Sequence, residues 1–181
     1  MLQDISKVLL TEEQIQTRVK ELAAELSKEY AGKDPVFVGV LKGVVIFYAD
    51  FMKYFTEHSQ MDFMWISSYS GTSSGEMIVR KDVTVNLKDR HVVILEDIFD
   101  TGNSLQYTYN HLLSKEPASL KICTLLDKPE RRRDGITVKA DYTGFVIPNE
   151  FVVGYGLDYQ EKSRNLPFVA VLHPRVYSEE A

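Results

Sequence analysis

The chain has 181 residues, 44% of them hydrophobic and 26% charged, with a formal net charge of −5. That length fits one domain able to bury about 70% of its unfolded surface without disulfide or metal staples. The acidic balance gives no global attraction to nucleic acid, and no stretch reaches the roughly 20 apolar residues of a membrane span.

The single cysteine, Cys123, cannot form an intramolecular disulfide. It lies in the apolar run 120–126 and reads as a small buried hydrophobe. Residues 1–7 lack the apolar core of a signal peptide, so a cytoplasmic location is expected.

Thr11-Glu12-Glu13-Gln14 has the capping-box pattern. Ile15, Val19, Leu22 and Leu26 follow at helical spacing, and Gly32 lies just past the helix end they predict. Val36–Leu41 is a short apolar run and predicts a buried strand. Residues 43–55 predict an apolar helix, and 61–69, β-branched and aromatic, a strand. Residues 70–76 (SGTSSGE) form a loop by composition. Residues 83–87 alternate apolar and polar, as a half-exposed strand does. Residues 92–95 predict a buried strand, 104–115 a helix, and 120–126 another buried strand. Two more short strands are expected at 151–153 and 168–172. Apolar strands alternating with helices predict an α/β fold, a mostly parallel twisted sheet with helices on both faces. In such a sheet, ligands bind at the carboxyl ends of the strands. No repeat, long linker or internal boundary divides residues 1–181, so one domain is expected.

Chemistry is densest at 92–105, Val-Val-Ile-Leu-Glu-Asp-Ile-Phe-Asp-Thr-Gly-Asn-Ser-Leu. An apolar run is followed by Glu96, Asp97 and Asp100, then by small donors where a helix starts. Acids at a helix start also complement its dipole, and Thr, Asn or Ser there also serve as N-caps. Three acids within five residues is more than those roles require. Alternation sends Glu96 and Asp97 to opposite sides of a strand. Carboxylates suit hydroxyls or a hydrated cation, and a helix start suits phosphate. There is no Gly-Lys-Ser/Thr, so a Walker-type nucleotide hydrolase is not indicated.

This run resembles the phosphoribosyl pyrophosphate (PRPP) motif of the type I phosphoribosyltransferases, in particular their hypoxanthine (hypoxanthine-guanine) branch. Four other segments share the resemblance. Leu41-Lys42-Gly43 resembles the pyrophosphate loop, and Ser68-Tyr69 with the Gly/Ser tract resembles the mobile catalytic loop. Leu126-Asp127-Lys128-Pro129 resembles the purine-reading segment. Residues 151–159, with Arg164 after them, resemble the base-stacking and metal segment. The likeness runs from about residue 5 to residue 173.

The resemblance implies a parallel-sheet core with a small hood and a mobile loop, and an assignment for each segment. Glu96 and Asp97 would hold the ribose hydroxyls, directly or through Mg²⁺. Asp158 would bind a second Mg²⁺ carrying pyrophosphate. Ile98 and Phe99 belong to the same substrate-binding run. Thr101, Gly102, Asn103, Ser104 and the N–H of Leu105 would bind the 5′-phosphate. Asp100 would be the general base at purine N7. Lys128 would donate to O6, selecting a 6-oxopurine, since a lysine has donors only. Phe151 would stack on the base, with backbone near Val152 and Asp158 reaching its edge. Lys42, Gly43 and Arg164 would take pyrophosphate oxygens, and Ser68 and Tyr69 would close over PRPP. In this family the bond matching Leu41-Lys42 is often cis.

The implied reaction is Mg²⁺-dependent transfer of phosphoribosyl to N9 of hypoxanthine, and of guanine, by a homodimer or homotetramer acting on small molecules. Without the resemblance, Lys128 reads as part of an exposed charge run, Phe151 as a core aromatic and Arg164 as a surface ion pair. Arg131, Arg132 and Arg133 are assigned to that exposed face. Ser67, Asn103 and Ser104 depart from the residues of some relatives, lowering the charge near the phosphate. A fold kept for sensing a nucleotide, or a xanthine-guanine preference, are the competing readings.

Overall fold

The structure, a computed structural model, describes residues 2–68 and 77–178. Six strands form the main sheet. They are β2 (Val36–Leu41), β3 (Gln60–Ser68), β4 (Met77–Lys81), β5 (His91–Phe99), β6 (Ser119–Asp127) and β7 (Tyr142–Val146). Their order is β4-β3-β2-β5-β6-β7, and all pairings are parallel except β3 with β4. A second sheet of three antiparallel strands joins β1 (Ile5–Leu10), β9 (Val169–Leu172) and β8 (Val152–Val153).

Helices cover both faces of the main sheet, as the alternation of strands and helices predicts. Helix α1 (Glu12–Glu29) opens with the capping box: Thr11 Oγ1 accepts from the Gln14 N–H, and Gln14 Oε1 accepts from the Thr11 N–H. Its Ile15, Val19, Leu22 and Leu26 are buried against α2 (Val45–Tyr54) and against Phe37, Val93 and Leu95 of the sheet. The alternate strand residues, Val36, Val38, Val92 and Ile94, pack on the other face with Leu105 and Leu112 of α3 (Asn103–Leu113). Cys123 is buried and free. Among the described residues, no helix is long and apolar enough to cross a membrane.

Several boundaries differ from expectation. Strand β5 runs to Phe99, so Glu96 and Asp97 lie inside the strand rather than after it. The second helix starts at Val45, since Lys42 to Val44 form the turn that enters it. Strands β1, β4 and β7 carry too little apolar alternation to be predicted.

Residues 83–87 are not a strand. Three of their backbone donors go to carboxylates instead: Val83 N–H donates to Asp82 Oδ1 at 2.7 Å, and Asp62 Oδ2 accepts from Thr84 N–H at 2.6 Å and from Val85 N–H at 2.9 Å. Asp62 Oδ1 takes the Phe63 N–H at 2.7 Å and Lys81 Nζ at 3.2 Å. Burial alone would raise this carboxyl, but the three amides and Lys81 together hold it at about 2.

Its folded pKa therefore lies below its unfolded value. The stabilisation is complete above about pH 4 and is lost as pH falls towards 2. Asp62→Asn puts an amide group where only acceptors fit. It is expected to cost about 2–3 kcal/mol at neutral pH, with a gap from the unmodified protein that narrows in acid. Urea unfolding at pH 7 and pH 3 measures both.

Candidate active site

Strand order reverses between β2 and β5: the chain runs outward from β2 to β3 on one side and from β5 to β6 and β7 on the other. Such a switch point opens a crevice at the carboxyl ends of the strands. Lys42 and Gly43 leave β2 there, and beside them lies the carboxyl end of β5, Glu96 to Phe99, with Asp100 and Thr101 leaving it. The Leu41-Lys42 bond is cis, as the resemblance implies.

Two cavities fill the crevice, of about 550 Å³ and 220 Å³, and they share Ile98 and Asp100. The larger is within the usual range for a small-molecule site. It gathers Lys42, Gly43, Asp97, Lys128, Phe151, Val152, Asp158 and Arg164. The smaller gathers Glu96, Phe99, Thr101, Gly102, Ser104 and Leu105. Residues separated by over 100 positions in sequence thus meet in one crevice. Asn103 begins α3 but lines neither cavity. Ser68 ends β3, while Tyr69 and the loop predicted at 70–76 lie outside the described residues.

Glu96 and Asp97 point to opposite sides of β5, as alternation predicts, and so serve different cavities. Both are buried. Burial pushes both carboxyls up, and for Glu96 the charge of Asp97 adds to the effect. Asp97 Oδ1 accepts from the Ile98 N–H at 3.0 Å, whereas Glu96 Oε2 is buried with no partner among the described residues. The Asp97 carboxylate lies against Gly43, and Gly43 O lies against Gly156. A Cβ on either glycine would overlap those atoms. Two backbone close approaches therefore seat the β2 loop on the β5 acid.

Among the described residues, no three His, Cys, Asp or Glu side chains cluster as a self-sufficient metal site. Mg²⁺ rarely needs one, because it takes one or two carboxylates and completes its shell with water and ligand oxygens. An orphaned Glu96 oxygen, and an Asp97 carboxyl raised further by the negative charge of Asp158, are donors of that kind. The residues fit the ion.

At the start of α3, Gly102 takes φ +91°, and among the described residues no side chain caps the helix. The N–H groups of the first turn have no intrahelical acceptor, which suits an anion better than a Ser or Thr cap would. An added Cβ at Gly102 would collide with Ile136.

Lys128 is not part of an exposed run. It is 6% exposed, and burial lowers its pKa while the Asp100 charge opposes that. Phe151 is 41% exposed, too open for a core aromatic. Its ring meets Tyr159 edge-on at 5.6 Å and lies nearly parallel to Tyr177 at 5.3 Å. Arg164 Nη2 contacts Asp158 Oδ1 at 2.8 Å and its Nη1 donates to Gly156 O at 2.8 Å.

The arginine run is a partial correction. Arg131 is exposed, yet it lines the larger cavity and its Nε meets Asp100 Oδ1 at 3.2 Å. Arg132 is turned inward. Its guanidinium carbon lies 3.2 Å above the centre of the Phe99 ring. It donates to Phe99 O and Asp100 O at 3.0 and 2.5 Å, and to Asp127. The short 3₁₀ turn Pro129–Arg131 delivers it there. Charge clustering concealed this, and only the neighbouring Lys128 motif hinted at it. Tyr177 had no sequence signal at all.

The family model for phosphoribosyl transferase domains matches residues 7–160 of this chain. The chain belongs to that family. It is similar to the hypoxanthine-guanine phosphoribosyltransferases of Streptococcus pneumoniae, 51% identical over 97% of each chain, and of Streptococcus mutans, 50% identical over 98% of each. The crystal structure of a hypoxanthine phosphoribosyltransferase from Staphylococcus aureus superposes with a TM-score of 0.92, at 47% identity, over 98% of this chain and 96% of that one.

Proposed function

We propose that the protein is a purine-salvage enzyme that transfers the phosphoribosyl group of PRPP to N9 of hypoxanthine, and of guanine, releasing pyrophosphate. The observation that carries this reading is a buried lysine, Lys128, in one cavity with an exposed aromatic, Phe151, and with Asp100. Lys128 offers donors only, so it matches a 6-oxo group and not a 6-amino group. Phe151 offers a ring face for the base.

On this reading Asp100, shared by the two cavities, takes the proton from N7 as the base adds. Phosphate sits on the first turn of α3, with Thr101, Ser104 and the Leu105 N–H. Glu96 and Asp97 orient the ribose hydroxyls as acceptors. Lys42, the Gly43 backbone and Arg164 hold the leaving pyrophosphate. Bond breaking at C1′ leaves positive charge on the sugar, and the acidic end of β5 stabilises it. Glu96 and Asp97, with the ribose hydroxyls, would hold one Mg²⁺ and Asp158 a second, which would supply positive charge to the pyrophosphate oxygens. Ser68 and Tyr69 would close over PRPP and exclude water.

The purified protein with Mg²⁺ and PRPP is expected to release pyrophosphate with hypoxanthine and guanine, and not with adenine. Turnover with adenine, or none with hypoxanthine, guanine or xanthine, sinks the reading. Turnover with xanthine and guanine but not hypoxanthine would instead establish the xanthine-guanine preference.

A further inference from the structure

The pyrophosphate corner of the larger cavity depends on two cations from separate loops, Lys42 after β2 and Arg164 after β8. One carboxylate holds both. Glu161 Oε2 meets Lys42 Nζ at 3.0 Å, and Glu161 Oε1 meets Arg164 Nη2 at 3.3 Å. The Glu161 N–H donates to Asp158 Oδ2 at 2.8 Å, which fixes the residue beside the acid that Arg164 also contacts. The sequence motifs assign Glu161 no role.

The backbone is bent to present it. Gln160, Glu161 and Ser163 all have left-handed φ, of 50°, 62° and 73°. Non-glycine residues rarely adopt that conformation, and three within four positions need the surrounding contacts to hold them. Paired hydrogen bonds between Tyr159 and Lys162 close the turn.

We propose that Glu161 is a positioning residue that competes with pyrophosphate for Lys42 and Arg164. This rests on the assignment of those two cations to pyrophosphate. The Glu161 carboxylate orients them and keeps them neutralised, so that anion binding is an exchange. The exchange is easy in one direction. Side chains of Lys42 and Glu161 are 52% and 65% exposed, and ion pairs in that setting are weak. A pyrophosphate brings several charge-assisted hydrogen bonds in return. The same competition weakens the hold on pyrophosphate once it has become product, and so favours its release.

Glu161→Gln removes the competing charge while keeping the side chain's shape. Calorimetric titration with pyrophosphate and Mg²⁺, without a base, is expected to give a Kd about three- to ten-fold lower than that of the unmodified protein. KM for PRPP should fall by a similar factor, and KM for hypoxanthine should not move. Glu161→Ala is expected to tighten pyrophosphate as well, so the result does not hang on one variant. Glu161→Asp, which keeps the charge on a shorter arm, should lie between. Unchanged or weaker pyrophosphate binding in the Gln and Ala variants overturns the proposal, as does a parallel rise in both KM values. Loss of hypoxanthine turnover in the unmodified protein would instead overturn the parent reading, which the base-free titration does not probe.

Discussion

Asp100→Asn is expected to lower the single-turnover rate of phosphoribosyl transfer by roughly 10²–10³-fold while leaving PRPP affinity within a few-fold. The argument is geometric. Asp100 is the first residue after β5 and borders both cavities, between the helix start that suits a phosphate and the lysine that suits a 6-oxopurine. Its Oδ1 accepts from Arg131 Nε at 3.2 Å, and its backbone O is held by Arg132. An asparagine keeps the size and an oxygen acceptor for Arg131, so the turn should keep its shape. What it loses is the capacity to accept a proton from the base. The effect therefore belongs to the chemical step and not to binding. Rapid-quench kinetics with hypoxanthine, beside calorimetry with PRPP and Mg²⁺, separates the two. An unchanged single-turnover rate refutes the proposed proton transfer. A collapse of PRPP affinity alone would make Asp100 a binding residue instead.

The fold was legible where apolar periodicity and burial coincide. The strands Val36–Leu41 and 92–95 bury side chains on both faces, and α1 announces its start with a capping box whose two hydrogen bonds are both present. Legibility failed where a polar side chain does the work of a backbone. Residues 83–87 alternate like a strand, yet the Thr84 and Val85 amides are claimed by Asp62, more than twenty positions earlier. Periodicity holds no information about such a partner. It failed again at Glu96 and Asp97, which extend β5 as buried acids. Their burial is imposed by the loop from β2 and by the turn after β5, not by their own apolarity.

The candidate site was legible through motif resemblance, and composition alone would have misled. Lys128, Arg131, Arg132 and Arg133 look equivalent as a charge run. The 3₁₀ turn Pro129–Arg131 separates them: Lys128 is buried, Arg131 borders the cavity, Arg132 is clamped inward and Arg133 faces out. Glu161, just past the 151–159 segment, reaches Lys42 and Arg164 by loop geometry, and Tyr177, far from any motif, borders the larger cavity. No local pattern marks where such loops end.

Arg132→Met is expected to cost about 3–4 kcal/mol of stability and at least roughly tenfold in kcat/KM, although Arg132 lines neither cavity. The guanidinium satisfies two carbonyls, Phe99 O and Asp100 O, and the carboxylate of Asp127, while its plane rests on the Phe99 ring. Asp127 is 19% exposed at its side chain, so removing Arg132 leaves a largely buried charge without its partner. Methionine fills much of the volume, which isolates the polar loss from cavity formation. The same residue ties together the two segments that must act jointly. Phe99 O also accepts the Lys128 N–H, and Thr101 O accepts the Arg133 N–H. Loosening Arg132 frees the Asp100 turn relative to Lys128, and a catalytic contact displaced by about 1 Å can lose 10²-fold in rate. Arg132→Lys retains the charge but not the planar fork, so it should recover little of either quantity. Urea unfolding and steady-state kinetics on both variants provide the check. A methionine variant within about 1 kcal/mol of the parent and fully active would mean that the β5 turn is held by its own backbone. The base-reading lysine and the Asp100 turn would then be independent parts.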